Sequence, residues 1–179
     1  EVLQMTAATD LRTTEEIYLQ VVRGKTAALF SAATEVGGVI ASATDAQVKA
    51  LYDYGDALGI AFQIADDLLD YQGDTAKTGK NVGDDFRERK LTLPVIKAIA
   101  QATDEERAFW QRTIAKGRQE EGDLDHALEL MAKYATLDAT RADAFGWAEK
   151  AKSALAELPD HPIRTMLIDL ADYVVSRLN

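Results

Sequence analysis

The sequence predicts an all-α protein, an antiparallel bundle of about seven helices. Three prolines and eleven glycines in 179 residues leave long stretches free of helix breakers. Apolar residues recur at helical spacing along most of the chain, and no alternating run bounded by turn residues reads as a β-hairpin. Thr13-x-x-Glu16 has the capping-box pattern, and Ile17, Val21, Val22, Ala28 and Leu29 carry a first helix toward Gly37-Gly38. A second helix is expected from Thr44-Asp45 past Asp70. Residues 73–92 hold three glycines and a run of charges without apolar periodicity, which predicts a long ordered loop with at most a short turn. Pro94 suits the first position of a helix over Val95–Ala102, and Thr103-x-x-Glu106 opens another through about Ala115. Gly122-Asp123 starts a helix whose stripe is Leu124, Ala127, Leu128, Met131 and Ala135. A further helix runs from Ala139 to Leu158, closed by Pro159. Pro162 opens the last, with Ile163, Met166, Leu167, Leu170 and Val174 expected inward. No Pro/Ser-rich linker marks a domain boundary.

Composition narrows the function. The 47% hydrophobic and 28% charged residues are those of a globular domain, and the formal net charge of −10 argues against a general nucleic-acid binder. No apolar stretch approaches a bilayer span. Zero cysteines exclude disulfides, thiolate metal sites and a Cys nucleophile, and suit a reducing, cytoplasmic setting. The chain begins at Glu1 rather than Met, which suggests processing or a partial sequence.

Chemistry concentrates at residues 53–74. At about 100° per residue, Leu58, Ala61, Phe62, Ala65 and Leu69 form the expected core face. Gln63, Asp66, Asp67 and Asp70 fall in the adjoining arc, with Asp66 and Asp70 an i, i+4 pair. No Lys or Arg lies between Lys49 and Lys77, while Asp53, Asp56, Asp66, Asp67, Asp70 and Asp74 do. Clustered hard oxygen ligands suit Mg²⁺ or a similar divalent cation. On its own the pattern fits a solvated helix face equally well. The loop behind it adds Gly79-Lys80, Gly83-Asp84-Asp85 and the basic Arg87, Arg89 and Lys90. An acidic helix followed by a glycine-punctuated basic loop can hold a metal–diphosphate unit. Neither the EF-hand nor the P-loop pattern occurs. Lys25-Thr26 offers another ammonium and a hydroxyl, although Lys25 alone reads as a surface lysine. His126 and His161 are isolated, and Trp110 and Trp147 read as packing residues.

These residues together resemble the trans-isoprenyl (polyprenyl) diphosphate synthases, in particular the long-chain octaprenyl and decaprenyl members. Gly59-Ile-Ala-Phe62-Gln63-Ile-Ala-Asp66-Asp67-Leu-Leu-Asp70 is similar to that family's second aspartate-rich motif. Glu1-Val-Leu-Gln4, Val22-Arg-Gly-Lys25-Thr26-Ala-Ala-Leu-Phe30, Gly79 to Lys90, Leu91-Thr-Leu-Pro94 and the segment Leu158 to Arg177 match in order. The resemblance implies an isoprenoid synthase-type bundle and a Mg²⁺-dependent prenyltransferase acting on an allylic diphosphate and isopentenyl diphosphate. Asp66 would coordinate Mg²⁺, Asp67 and Asp70 would support it, and Asp84 would hold metal-bound water. Lys25, Lys80 and Lys90 would bind the diphosphate, and Thr26 and Gln63 would face the reacting carbon. A homodimer, and peripheral membrane contact for product release, are also implied.

Arg89 stands where such a loop usually has Gly, and Ile163 replaces an aromatic residue. The larger departure is that the family's first D-D-x-x-D motif is absent. The resemblance therefore implies that residues 1–179 are the C-terminal portion of one synthase domain, with little or no turnover alone. A non-catalytic partner subunit or helical interaction module that keeps the scaffold, and a terpene cyclase of similar fold, are the alternatives. The retained Asp, Lys and Gln residues weigh against the first, and Lys25-Thr26 with Gly79-Lys80 against the second.

Overall fold

The structure, a computed structural model, describes residues 9–72 and 82–178, and every regular element among them is helical. Helix α1 spans Glu15–Val22, followed by a π-turn at Arg23–Ala27, α2 (Ala28–Ile40) and the long α3 (Asp45–Gln72). Then come α4 (Asp84–Arg87), α5 (Leu93–Gln101), α6 (Asp104–Trp110) and a second π-turn at Gln111–Ala115. Helices α7 (Asp123–Lys133) and α8 (Thr136–Ala154), a 3₁₀ turn (Leu155–Glu157) and α9 (Pro162–Ser176) complete it. No described helix is long and apolar enough to cross a membrane.

The chain divides into two compact units, one of Glu1–Val21 with Asp66–Thr140, the other of Val22–Ala65 with Arg141–Asn179. Two of the divisions fall inside α3 and α8 and the third at the last turn of α1. The absence of linker composition in the sequence is thereby explained.

In the first unit, the capping box at Thr103 forms as the sequence predicts: Glu106 N–H donates to Thr103 Oγ1, and Glu106 accepts from Thr103 N–H. The cap of α1 falls one residue later than the Thr13 pattern suggests, because Thr14 Oγ1 accepts from Ile17 N–H. Trp110 is fully buried, edge-on to Phe86 at 6.4 Å, and Met131, Ala127 and Leu130 seat α7. Ala135 does not join that stripe. Helix α7 ends at Lys133, and Ala135 is exposed with φ +50°.

In the second unit, α2 and α3 approach closely because α3 offers glycines. A Cβ on Gly59 would lie 2.5 Å from Ala27 Cα, and one on Gly55 2.5 Å from Ser31 Cα. Thr34 Oγ1 donates to Leu51 O at 2.6 Å across the same contact. Tyr54, fully buried, donates its O–H to Leu167 O at 2.8 Å and so anchors α9. The inward residues of α9 are Ala171, Val174 and Val175, whereas Ile163, Met166 and Leu170 are exposed, with Met166 at 66%. Helix α9 is apolar on more than one face, so spacing alone cannot choose its roll; the Tyr54 bond and the small Ala171 do. Leu29, Val36, Val39 and Ile40 along α2 are exposed as well.

Helix α3 is more deeply buried than its predicted single stripe. Ile60, Ile64 and Leu68 are fully buried alongside Leu58, Ala61 and Ala65, while Phe62 and Leu69 are half-buried.

Candidate active site

The predicted site residues fall into two groups, one in each unit. In the second unit, Thr26 lies in the π-turn and donates its Oγ1–H to Gln63 Oε1 at 2.8 Å. Sequence spacing cannot foresee that bond, since 37 residues separate the partners. The widened turn, closed by Ala28 N–H on Arg23 O, leaves Lys25 exposed and buries Ala27 against Gly59. Phe62 stacks obliquely on Phe30 at 5.7 Å and carries the Arg177 guanidinium over its face at 5.5 Å. The acidic stretch does find counter-charges here through the fold and through its own helix. Arg23 pairs with Asp56 at 3.2 Å and Lys49 with Asp53 at 2.5 Å. An open cleft of about 450 Å³ lined by Glu35, Asp45, Val48, Lys49, Tyr52 and Asp53 contains none of the predicted site residues.

In the first unit, the three aspartates at the end of α3 have three different environments. Asp66 is exposed, and its carboxylate has no hydrogen bond or ion pair among the described residues. Asp67, one residue on and about 100° around the helix, is 5% exposed and accepts the Tyr18 O–H at 2.6 Å. Burial, and next the Asp67 carboxylate, push the Tyr18 hydroxyl well above its ordinary pKa. Asp70 is half-buried, and its Oδ2 accepts the Asp85 N–H at 3.1 Å. Burial raises the Asp70 pKa; the Asp85 amide opposes that rise and the Asp85 charge adds to it. The sequence reading did not single out Tyr18, and it named Asp85 only within the Gly83-Asp84-Asp85 run, without a role of its own. The signals were a tyrosine in the apolar face of α1 and the second carboxylate of the Asp84-Asp85 pair.

The strap Gly83–Lys90 follows. Gly83 N–H donates to Asp70 O at 2.8 Å, and Asp84 pairs with Arg87 at 2.9 Å. The strap ends in a Schellman motif. Arg89 N–H bonds Phe86 O and Lys90 N–H bonds Asp85 O, which puts Arg89 at the left-handed position with φ +60°. The residue that stands in place of the family's glycine therefore adopts the conformation glycine favours. Lys90 is engaged within the strap, with Glu88 at 2.6 Å and Asp85 at 2.9 Å. The Glu88 bond first, and then Asp85, raise its pKa against the pull of desolvation. Lys80, the segment Gly79 to Asn81 and Glu1 to Gln4 lie outside the described residues.

Among the described residues no three His, Cys, Asp or Glu side chains converge as a ready-made metal site. Mg²⁺ commonly takes one or two carboxylates and completes its shell with water and phosphate oxygens. The donor set fits that demand: Asp66 is free of described partners, Asp70 stands one turn on along the same face, and Asp67 is committed to Tyr18.

Comparison with known proteins identifies the family. The family model described as polyprenyl synthetase matches residues 1–131. The octaprenyl diphosphate synthase of Escherichia coli K12 is 44% identical over 177 residues, which are 99% of this chain and 54% of that protein. A crystal structure of a decaprenyl diphosphate synthase from Rhodobacter capsulatus superposes with TM-score 0.94 at 68% identity, covering 99% of this chain and 55% of that one. A polyprenyl synthase from Caulobacter crescentus CB15, solved with calcium and isoprenyl diphosphate, gives TM-score 0.90 at 48% identity over 98% of this chain and 54% of that one. The fold is the all-α isoprenoid synthase fold. The chain belongs to the polyprenyl synthetase family. It spans about half the length of the curated relatives it matches.

Proposed function

We propose that this chain is the C-terminal portion of a single synthase domain whose parent is a Mg²⁺-dependent, homodimeric prenyltransferase. The reaction condenses isopentenyl diphosphate with an allylic diphosphate to give a long-chain polyprenyl diphosphate. The observation that carries this reading is the last two turns of α3, where Asp66 and Asp70 stand as an i, i+4 pair on one face and the Asp66 carboxylate is without a bond among the described residues. The octaprenyl and decaprenyl activities named for the relatives support the long-chain assignment.

Bound Mg²⁺ would neutralise diphosphate charge and so ease departure of the leaving group. Asp66 would hold it directly, and Asp70 and Asp84 would orient water in its shell. Asp67, fixed by Tyr18, would act through the helix rather than as a ligand. Lys25 and Lys80 would bind the allylic diphosphate, and Lys90 would exchange its Glu88 partner for a phosphate oxygen as the strap engages. Thr26 and Gln63, already bonded to one another, would stand beside the developing carbocation with their dipoles fixed. The apolar faces exposed on α2 and α9 support a parent in which further chain or a second subunit covers them. Product release at a membrane surface and a cytoplasmic location accord with an apolar product and the absence of cysteine.

The test is to incubate the parent synthase and the 179-residue chain separately with Mg²⁺, farnesyl diphosphate and isopentenyl diphosphate, and to size the products. Long linear prenyl diphosphates from the parent, with little or none from the chain alone, are expected. A cyclic hydrocarbon would overturn the reaction, no turnover by the parent would point to a non-catalytic subunit, and full activity of the isolated chain would overturn the fragment reading.

A further inference from the structure

We infer that Gln119 is a positioning residue for the strap. By holding the Phe86 carbonyl, it fixes the turn from which Asp84 and Lys90 address a diphosphate. The inference rests on the reading of this site as diphosphate-binding.

The strap Gly83–Lys90 is held from two sides. On one side, Asp70 takes the Gly83 amide on its backbone carbonyl and the Asp85 amide on its carboxylate. On the other stands a platform formed by the second π-turn and the turn leading into α7. Gly83 abuts Leu124, where a Cβ would come within 2.4 Å of Cδ1, and Phe86 is buried edge-on to Trp110. The polar link is Gln119, whose Nε2 donates to Phe86 O at 2.7 Å and to Thr113 O at 3.3 Å. Phe86 O is also the acceptor for Arg89 N–H at 2.9 Å, one of the two bonds that define the strap's closing turn. Two donors therefore converge on one carbonyl at the point where the chain reverses into Lys90.

The platform is held by bonds of its own. Arg112 grips Asp123 with two bonds of 2.7 and 2.8 Å and donates to Arg118 O at 2.8 Å, while Glu120 N–H donates to Asp123 Oδ2 at 2.7 Å. Gly117, with φ +65°, lies beneath the Arg89 side chain, so close that a Cβ there would meet Nη1 at 2.6 Å. None of these contacts passes through Gln119, whose own bond to the platform is the longer one to Thr113 O at 3.3 Å, so its carboxamide can be changed while the Arg112–Asp123 pairing stays in place.

The experiment uses the 179-residue chain with inorganic pyrophosphate and Mg²⁺ as probe. Binding is followed by calorimetry, and protection of the Arg89 and Lys90 amides by hydrogen exchange. Gln119→Ala and Gln119→Glu are each expected to weaken binding about tenfold and to lower protection of both amides by a similar factor, as loss of a bond to a half-buried carbonyl predicts. The melting temperature serves as the folding control. Glu keeps the length of Gln and loses the donor, but regains an O–H when protonated. The defect of Gln119→Glu relative to wild type should therefore narrow as pH falls from 8 toward 5. Wild-type binding and protection in both variants would overturn the role of Gln119 and leave the diphosphate reading standing. A Gln119→Glu variant that behaves as wild type while Gln119→Ala is impaired would reduce the role to packing and overturn it too. Failure of the wild-type chain to bind pyrophosphate would overturn the diphosphate reading, and the inference with it.

Discussion

Among the described residues two π-turns interrupt helices, and they use the same backbone device to opposite ends. At Arg23–Ala27 the widened turn leaves Lys25 exposed, aims Thr26 at Gln63 and is seated on a glycine. At Gln111–Ala115 it buries Thr113 and Ile114 completely and commits Arg112 to a bidentate pair with Asp123. In both, an i+5 bond replaces the i+4 bond and shifts one side chain out of helical register. The register shift alone does not make a site. The first turn leaves a cation exposed and sets a hydroxyl on Gln63, and the second spends its polar groups on holding a platform.

The largest effect should come from the seat of the first turn. Gly59→Ala puts a Cβ 2.5 Å from Ala27 Cα, and backbone there cannot yield. The gain of Ala over Gly in a helix, about 1 kcal/mol, should be overridden by a net loss of about 2 kcal/mol in urea unfolding. Gly24→Ala, inside the same turn with nothing within 4 Å of its Cβ, should be neutral or mildly stabilising. Equal behaviour of the two variants would mean that the first turn is not seated on α3. For the second turn, Arg112→Met should lose about 2 kcal/mol, because it removes the counter-charge of the buried Asp123 carboxylate and leaves it the Glu120 amide. Thr26→Val divides the two turns by function. Its stability should change by about 1 kcal/mol or less, while kcat of the parent synthase falls about tenfold or more. A loss of stability without loss of turnover would make the first turn structural like the second.

Much of this was legible in sequence for reasons that can be named. Thr103-x-x-Glu106 folded as its pattern demanded because capping is a local bond between neighbours. Helix α3 was expected over almost its full length, because its apolar residues leave no break between Asp45 and Gln72. The π-turns were not foreseen, since a one-residue register shift hardly alters an apolar pattern. The partition of the aspartates also escaped the helical wheel. Asp67 and Asp70 are set apart from Asp66 by Tyr18 and Asp85, whose approach is a tertiary fact. The roll of α9 was misjudged because both of its candidate faces are apolar.

Acid should probe the flank of the second turn. Glu106, held by Lys133, Tyr134 and the Thr103 amide, has its pKa lowered from 4.5 to about 2. A carboxylate lowered on folding contributes stability in full above about 4.5, and that contribution is lost as pH falls toward 2. Asp70 works in the opposite sense. Burial raises its pKa, so its ionised form opposes folding and its protonation relieves that strain. Urea midpoints between pH 5 and 2 should fall in the wild type and fall less in Glu106→Gln; parallel slopes would remove Glu106 from the account.

The smallest effects concern two Schellman turns whose left-handed residue is not glycine. Ser42, φ +54°, ends α2 with its N–H on Val39 O and Ala43 N–H on Gly38 O; Arg89, φ +60°, ends α4 in the same way. A non-glycine residue there costs about 1 kcal/mol, so Ser42→Gly should gain up to about that much. Arg89→Gly removes the same strain but also the contact of Arg89 with Gly117, so its gain should be smaller. The difference between the two gains, read from paired urea melts, measures what Arg89 contributes to holding the strap on its platform. A larger gain for Arg89→Gly than for Ser42→Gly would mean that the contact contributes nothing and that the arginine is tolerated at this turn rather than used.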